Sequence, residues 1–290
     1  MVLIEKIKSM NKVIVSILLC LSGLSLHSQE HLPNSSDYSQ FYKTKTLVVL
    51  EDQLFSDFND KIKEAVKQNW TVTEYEFISN AEFKKKRFNS NYSFLLTSLV
   101  TFKKDRTKAS YNFLSLVLGG QAKEIGDMPD LCSIPLSYVK AEEENYIYKL
   151  TALVQFIQNH IALATKKPQI ITENVLRYYN KNNARTKDKT IYVLKNELEY
   201  DINSLAKIRK IYPGKVKMVE AEEIEKAIKN KDNNVIFLHK VGPENTRNKA
   251  RCFKILIGAS DAKFYYFDYH MVRGKQSDSF LKSDFKKISK

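Results

Sequence analysis

The chain is 290 residues long and 43% apolar, with 16 Tyr and 16 Phe, and it carries 47 Lys and Arg against 33 Asp and Glu for a net charge of +14. That apolar share excludes a disordered chain, and the length admits one large domain or two small ones. A basic balance attracts acidic partners through long-range fields, although the cations here are spread along the chain rather than gathered in one block.

The first residues read as an export signal. Lys6, Lys8 and Lys12 precede an uncharged run over residues 13–26, 14 residues in length. A bilayer takes about 20, and a basic start before a short apolar run is the secretory pattern. Met10 would serve as a compact alternative start. Cleavage is expected near Ser28, with an uncleaved membrane anchor as the alternative. Cys20 does not suit lipidation, because Leu19 stands where a small residue is needed. Removing residues 1–28 takes three Lys and one Glu, leaving +12 and no membrane span. Cys132 and Cys252 remain. An oxidising compartment permits one disulfide between them, and buried free thiols are the alternative. No CxxC or Cys/His pair stands at metal spacing, and Gly119-Gly120 opens no phosphate-binding fingerprint, so neither metal nor cofactor is expected.

After a polar stretch at 29–44, taken as a flexible tail, residues 46–50 (TLVVL) read as a buried strand. Phe55, Phe58, Ile62, Ala65 and Val66 then recur at spacings of 3 and 4, on one helix face. A strand at 72–78, a short basic helix at 81–88 and an antiparallel pair at 93–102 and 111–118 follow. Gly126 and Pro129 mark a loop before a strand at 132–139. Ile147, Leu150, Val154, Ile157 and Ile161 form a helical stripe expected to pack across two lobes. A second helix at 172–179 leads into the polar linker 180–188.

The second half repeats the order. Residues 189–194 (KTIYVL) echo 45–50 (KTLVVL) at an offset of 144. An amphipathic helix recurs as Leu198, Ile202, Leu205, Ile208 and Ile211. A strand at 216–219, a helix holding Ile224, Ala227 and Ile228, and strands at 233–241, 253–258 and 264–271 complete it. Identities are few, so duplication rests on order and spacing, which repeat analysis weighs first. Phe264, Tyr265, Tyr266, Phe267 and Tyr269 put aromatics on both faces of the last strand, as a buried strand does.

In open α/β sheets, ligands sit beyond the carboxyl ends of the parallel strands. That rule selects Glu51, Asp52, Thr97 and Ser98 in the first unit, and Lys195, Asn196, Glu197, His239 and Lys240 in the second. The loop after the third strand shares this rim and is cationic in both units. It carries Lys103, Lys104, Arg106 and Lys108 in one, and Arg247, Lys249 and Arg251 in the other. Facing loops of this kind would hold a phosphate, a sulfate or an acidic glycan, Arg by bidentate geometry and Lys as a point charge. Polar hairpin tips in a lysine-rich chain are the plain alternative. The expected ligand set is Lys103, Lys104, Arg106, Lys240, Arg247, Lys249 and Arg251.

Catalytic candidates are His239, Asp268 and His270. Asp268 and His270 stand two apart on one strand and so share a face. A closing meander would bring His270 to the rim of His239, about 10 Å away across two strand spacings. A His with a nearby Asp is raw material for acid–base chemistry, but no GxSxG elbow or activated nucleophile accompanies it.

The sequence therefore predicts an α/β protein of two related mixed-sheet βαβαβββ lobes, exported to the periplasm or the cell exterior. Its parts are a signal peptide (1–28), a flexible tail (29–44), a first lobe (45–140), a helical linker (141–188) and a second lobe (189–290). The leading expectation is a non-enzymatic binding or interaction protein whose basic surface takes an anionic ligand or a protein partner. Export argues against nucleic acid. A secreted hydrolase using His239, Asp268 and His270 is the second reading, and a structural component of the cell envelope the third.

Overall fold

The computed structural model describes residues 33–289 except 54–55, 103–104, 172–174, 245–248 and 275. The export segment lies outside the described residues. Among those described, no helix is long and apolar enough to cross a membrane.

The expected flexible tail is, from Asn34 onward, a docked helix, α1 (Ser35–Phe41). The Asn34 side chain accepts from the Ser36 and Asp37 amides, and Asp37 accepts in return from the Asn34 amide at 2.8 Å. This reciprocal cap satisfies donors that a helix start otherwise leaves open. Tyr38 and Phe41 are buried beneath the helix. A two-residue apolar face is too little periodicity to announce a helix in sequence.

In the first sheet, β1 (Lys45–Val49) lies between β2 (Tyr75–Ile78) and β3 (Tyr92–Thr101) and pairs in parallel with both. Antiparallel β4 (Ser110–Leu118) and β5 (Asp130–Tyr138) extend it, in the order β2-β1-β3-β4-β5. Helix α2 (Asp57–Asn69) crosses from β1 to β2 and buries Phe58, Ile62, Ala65 and Val66, the stripe the spacing picks out. Helix α3 (Asn80–Lys86) crosses from β2 to β3.

Helix α4 (Leu150–Lys166) and the short α5 (Val175–Tyr179) lead to the second sheet. There β6 (Thr190–Val193) pairs in parallel with β7 (Lys215–Met218) and β8 (Val235–Val241), and β9 (Arg251–Gly258) and β10 (Phe264–Met271) follow antiparallel. The order is β10-β9-β8-β6-β7. Helix α6 is only Leu205–Arg209, shorter than the amphipathic pattern predicts. The reason lies in the backbone. Leu198 bridges to Phe280, the Glu199 amide donates to the Phe280 carbonyl, and the Phe280 amide donates to Glu197, so the preceding turn cannot join the helix. Leu198, Ile202 and Ile208 are buried all the same. Helix α7 (Ala221–Lys229) crosses to β8, and α8 (Lys282–Ile288) closes the chain.

The layers follow from which face each residue occupies. One continuous core takes Val48, Leu95 and Ile134 from the first sheet, Phe237, Ile255 and Ile257 from the second, and the inner sides of α2, α4 and α7. The outer face of the first sheet (Leu47, Phe94, Leu96) is covered by Phe83 of α3. That of the second (Ile236, Leu238, Leu256) is covered by Ile208 of α6 and by Phe285 and Ile288 of α8. A register shift in β10 between Phe264 and Tyr266 explains its aromatics: Tyr265 and Tyr266 both join the outer core, whereas Phe264 faces inward. Cys132 and Cys252 are buried free thiols.

Candidate functional site

His239 and His270 stand on strands that run the same way, β8 and β10, but on opposite faces of the second sheet. His239 pairs across the second sheet with Ile255, and Ile255 with Phe267, whereas Lys240 pairs with Lys254, and Lys254 with Asp268. Alternation along a strand therefore puts His239 on the inner face and Asp268 and His270 on the outer one. His239 is fully buried. Its Nε2 bonds the Pro135 carbonyl of edge strand β5 at 2.8 Å, and burial, helped by the Lys149 charge, pushes its pKa down to about 3. His270 Nε2 bonds the Ser277 carbonyl at 2.8 Å. Asp268 accepts from the Tyr269 amide (2.8 Å), the Tyr266 hydroxyl (3.0 Å) and Lys287. Each of the three candidates is thus engaged in a bond that holds the fold.

The basic loops do come together. Thr107 donates its hydroxyl to the Lys249 carbonyl, and the Tyr111 hydroxyl accepts from the Arg251 amide at 2.6 Å. Arg251 makes a bidentate pair with Asp105, Nε to Oδ2 at 2.7 Å and Nη2 to Oδ1 at 2.9 Å, with its guanidinium 3.8 Å from the Phe102 ring centroid. Lys240 is paired with Asp278 at 2.8 Å. Burial acts against its charge, and Asp278 outweighs that and holds its pKa above the usual lysine value. Arg251 and Lys240 are therefore neutralised internally. Arg106, Lys108 and Lys249 are exposed, with no ion pair among the described residues. Lys103, Lys104 and Arg247 lie outside the described residues. Beneath this corner, Tyr111, Phe113, Tyr138 and Phe253 pack the two sheets together.

A cleft of about 1070 Å³ opens at the carboxyl end of β6, where the strand-end rule places a ligand. Lys195, Asn196, Glu220, Arg273 and Asp278 are on its walls. Behind it, Lys149 stands 3.6 Å from Glu197, both buried. Among the described residues, Lys149 Nζ, Glu197 Oε2 and Asp278 Oδ1 have no hydrogen-bond partner, which is costly for buried polar groups. Gly242 leaves the room Asp278 needs, since a Cβ there would lie 1.7 Å from Asp278 Oδ1. The matching rim of the first sheet is plugged by the chain itself: Glu143 accepts from Ser56 Oγ at 2.8 Å and from the Phe58 amide at 3.0 Å, at the start of α2. Sequence reasoning named Glu197 only as a rim residue and missed Lys149 and Asp278. Nothing local marks Lys149 as a buried cation, since Tyr148 and Leu150 flank it like any helix start.

No known family model matches the chain, and neither a curated protein nor a solved structure matches it significantly.

Proposed function

We propose that the chain is an exported, non-enzymatic binding protein that engages an anionic ligand or an acidic protein partner at the corner where its two basic loops meet. The observation that carries this reading is the junction itself. Thr107–Lys249 and Asp105–Arg251 tie loops from different sheets, so that Arg106, Lys108 and Lys249 stand exposed at one place. Lys108 adopts a left-handed backbone (φ +46°), a conformation that side-chain-bearing residues rarely take, which speaks for a held loop rather than a free tip.

The same reading includes a duplicated βαβαβββ unit. It is supported by the matching strand orders and the matching parallel and antiparallel pairings of the two sheets. Opposite Thr46 stands Tyr75, and opposite Thr190 stands Lys215, so the second strands correspond at an offset of 140, not the 144 that sequence alone suggests. Export itself rests on Lys6, Lys8, Lys12 and the apolar run behind them, and N-terminal sequencing of the exported protein should begin near Gln29.

A polysulfated glycan titrated into the protein tests the corner. Affinity should fall by about tenfold or more as salt rises several-fold, because exposed charges are screened. Arg106→Glu with Lys249→Glu should weaken binding by about tenfold while the unfolding transition stays in place. Affinity unmoved by either change would remove the corner from consideration.

A further inference from the structure

At the other end of β9, about 23 Å from Arg251 at 3.3 Å per residue, lies a groove of about 760 Å³ between α4, the residues after α5, the end of α7 and the β9–β10 turn. That volume is within the range of about 300–1,000 Å³ typical of small-molecule sites. Its floor is apolar. Phe156 stacks on Phe264 at 3.7 Å and 4°, and Ala162, Leu163, Tyr178, Ile228 and Ala262 line the rest. The small side chains of Ala162 and Ala262 are what leave space between the helix and the turn.

The rim has one sign. Lys166, Lys181, Arg185, Lys231 and Lys263 line it, against a single acid, Asp261. Lys263 pairs with that acid at 3.4 Å, and the other four cations have no ion pair among the described residues. Several of the neutral polar groups there are already used. Asn69 donates to the Ala65 carbonyl, Asn159 to that of Asp261 and Asn182 to that of Phe264. The groove thus offers an apolar trough with a set of cations at its mouth.

We propose that this groove binds a free single-chain carboxylate, the alkyl chain lying along Phe156, Leu163 and Ile228 and the carboxylate meeting Arg185, Lys181 or Lys231. Charge complementarity selects this occupant. A neutral lipid would leave the four cations unanswered, and a compact inorganic anion would leave the trough wet. The site is separate from the basic corner, so either reading can fail without the other.

Isothermal titration of the purified protein with dodecanoate, below its micelle concentration, tests the proposal. Saturable one-to-one binding is expected, weakening about fourfold for each methylene removed on going to decanoate and octanoate. Dodecanol should bind at least tenfold more weakly. Arg185→Glu with Lys231→Glu should cost at least tenfold for dodecanoate and leave dodecanol unchanged. Ala162→Trp should fill the trough and abolish binding of both; should that variant unfold, the double charge reversal carries the test, since both its side chains are exposed. The proposal is overturned if no saturable binding occurs, if acid and alcohol bind alike, if inorganic phosphate displaces dodecanoate at equal concentration, or if a folded Ala162→Trp keeps full affinity. Capture by anionic phospholipid vesicles that the Ala162→Trp change does not affect, with no dodecanoate binding, would assign the cations to a membrane surface and also overturn it.

Discussion

At the scale of single residues, the buried histidines couple the fold to pH. His239 Nε2 donates to the Pro135 carbonyl, so its Nδ1, which has no partner among the described residues, carries no proton in the neutral ring. His160 lies between Tyr179 (2.7 Å to Nδ1) and Tyr38 (3.3 Å to Nε2), and burial pushes its pKa down to about 4. Both rings are held neutral in the fold but take up a proton in the unfolded chain near pH 6.5. Their stabilisation is therefore complete above pH 6.5 and is lost as pH falls towards 4 for His160 and 3 for His239. The slope approaches about 1.4 kcal/mol per pH unit for each ring. Glu51 and Glu244, whose carboxyls burial raises, act in the opposite sense and flatten the lower part of the curve. Urea unfolding between pH 6.5 and 4.5 should show the loss. His270, whose pKa burial also lowers, adds to the same slope. His239→Gln keeps a donor for Pro135 and cannot titrate, so it should remove about a third to a half of the slope, and an unchanged slope would mean that His239 is not among the groups responsible.

At the scale of elements, α8 shows what holds the outer face of the second sheet. Asp284 accepts from Lys254 Nζ at 2.8 Å to both oxygens, from the Tyr266 hydroxyl at 2.6 Å and from the Leu281 amide at 2.7 Å. Lys254 and Asp284 are buried and this network satisfies them, so removing one partner strands the other. Asp284→Ala should cost about 3–5 kcal/mol in thermal or urea unfolding, while Lys254→Met with Asp284→Leu should recover most of it. A cost under about 1 kcal/mol for Asp284→Ala would show that the pair is not desolvated as described.

This helix also marks where the sequence stopped being legible. Strands such as 46–50 and 264–271 are visible as short runs rich in apolar or aromatic residues, and the α2 stripe because burial repeats at the helical period. In KSDFKKI the buried positions are Asp284, Phe285 and Ile288, of which only two are apolar, so no hydrophobic period can be read. The helix expected over 198–211 failed for a different reason: its backbone groups are taken by Phe280, some eighty residues on. The basic loops were legible as recurring cations. The pairing of Arg251 with Asp105 was not, because Asp105 sits inside the basic stretch itself and only the fold brings the two loops together. The groove was invisible for the same reason, its cations coming from four separate segments.

At the scale of the whole molecule, the central layer decides how the two sheets depend on each other. Helices α2, α4 and α7 bury inner-face residues of both sheets in one cluster, and His239 completes the open edge of β5 through the Pro135 carbonyl. An edge strand left uncovered is a site for unwanted pairing. Residues 189–290 alone would lose α2 and α4, leaving only α7 of the central layer over Phe237, Ile255, Ile257 and Phe264. Full burial of one such side chain is worth about 1.5–3 kcal/mol, so even partial exposure of the four removes several kcal/mol, a large share of the stability of a typical domain, about 5–15 kcal/mol. The full chain should accordingly unfold in one cooperative transition, with near-UV and far-UV signals coincident. The fragment 189–290 should lack near-UV ellipticity and bind a hydrophobic dye, and mixing it with 33–188 should restore both signals. Two separate unfolding transitions, or a natively folded 189–290, would show that the shared layer is not what stabilises the second sheet.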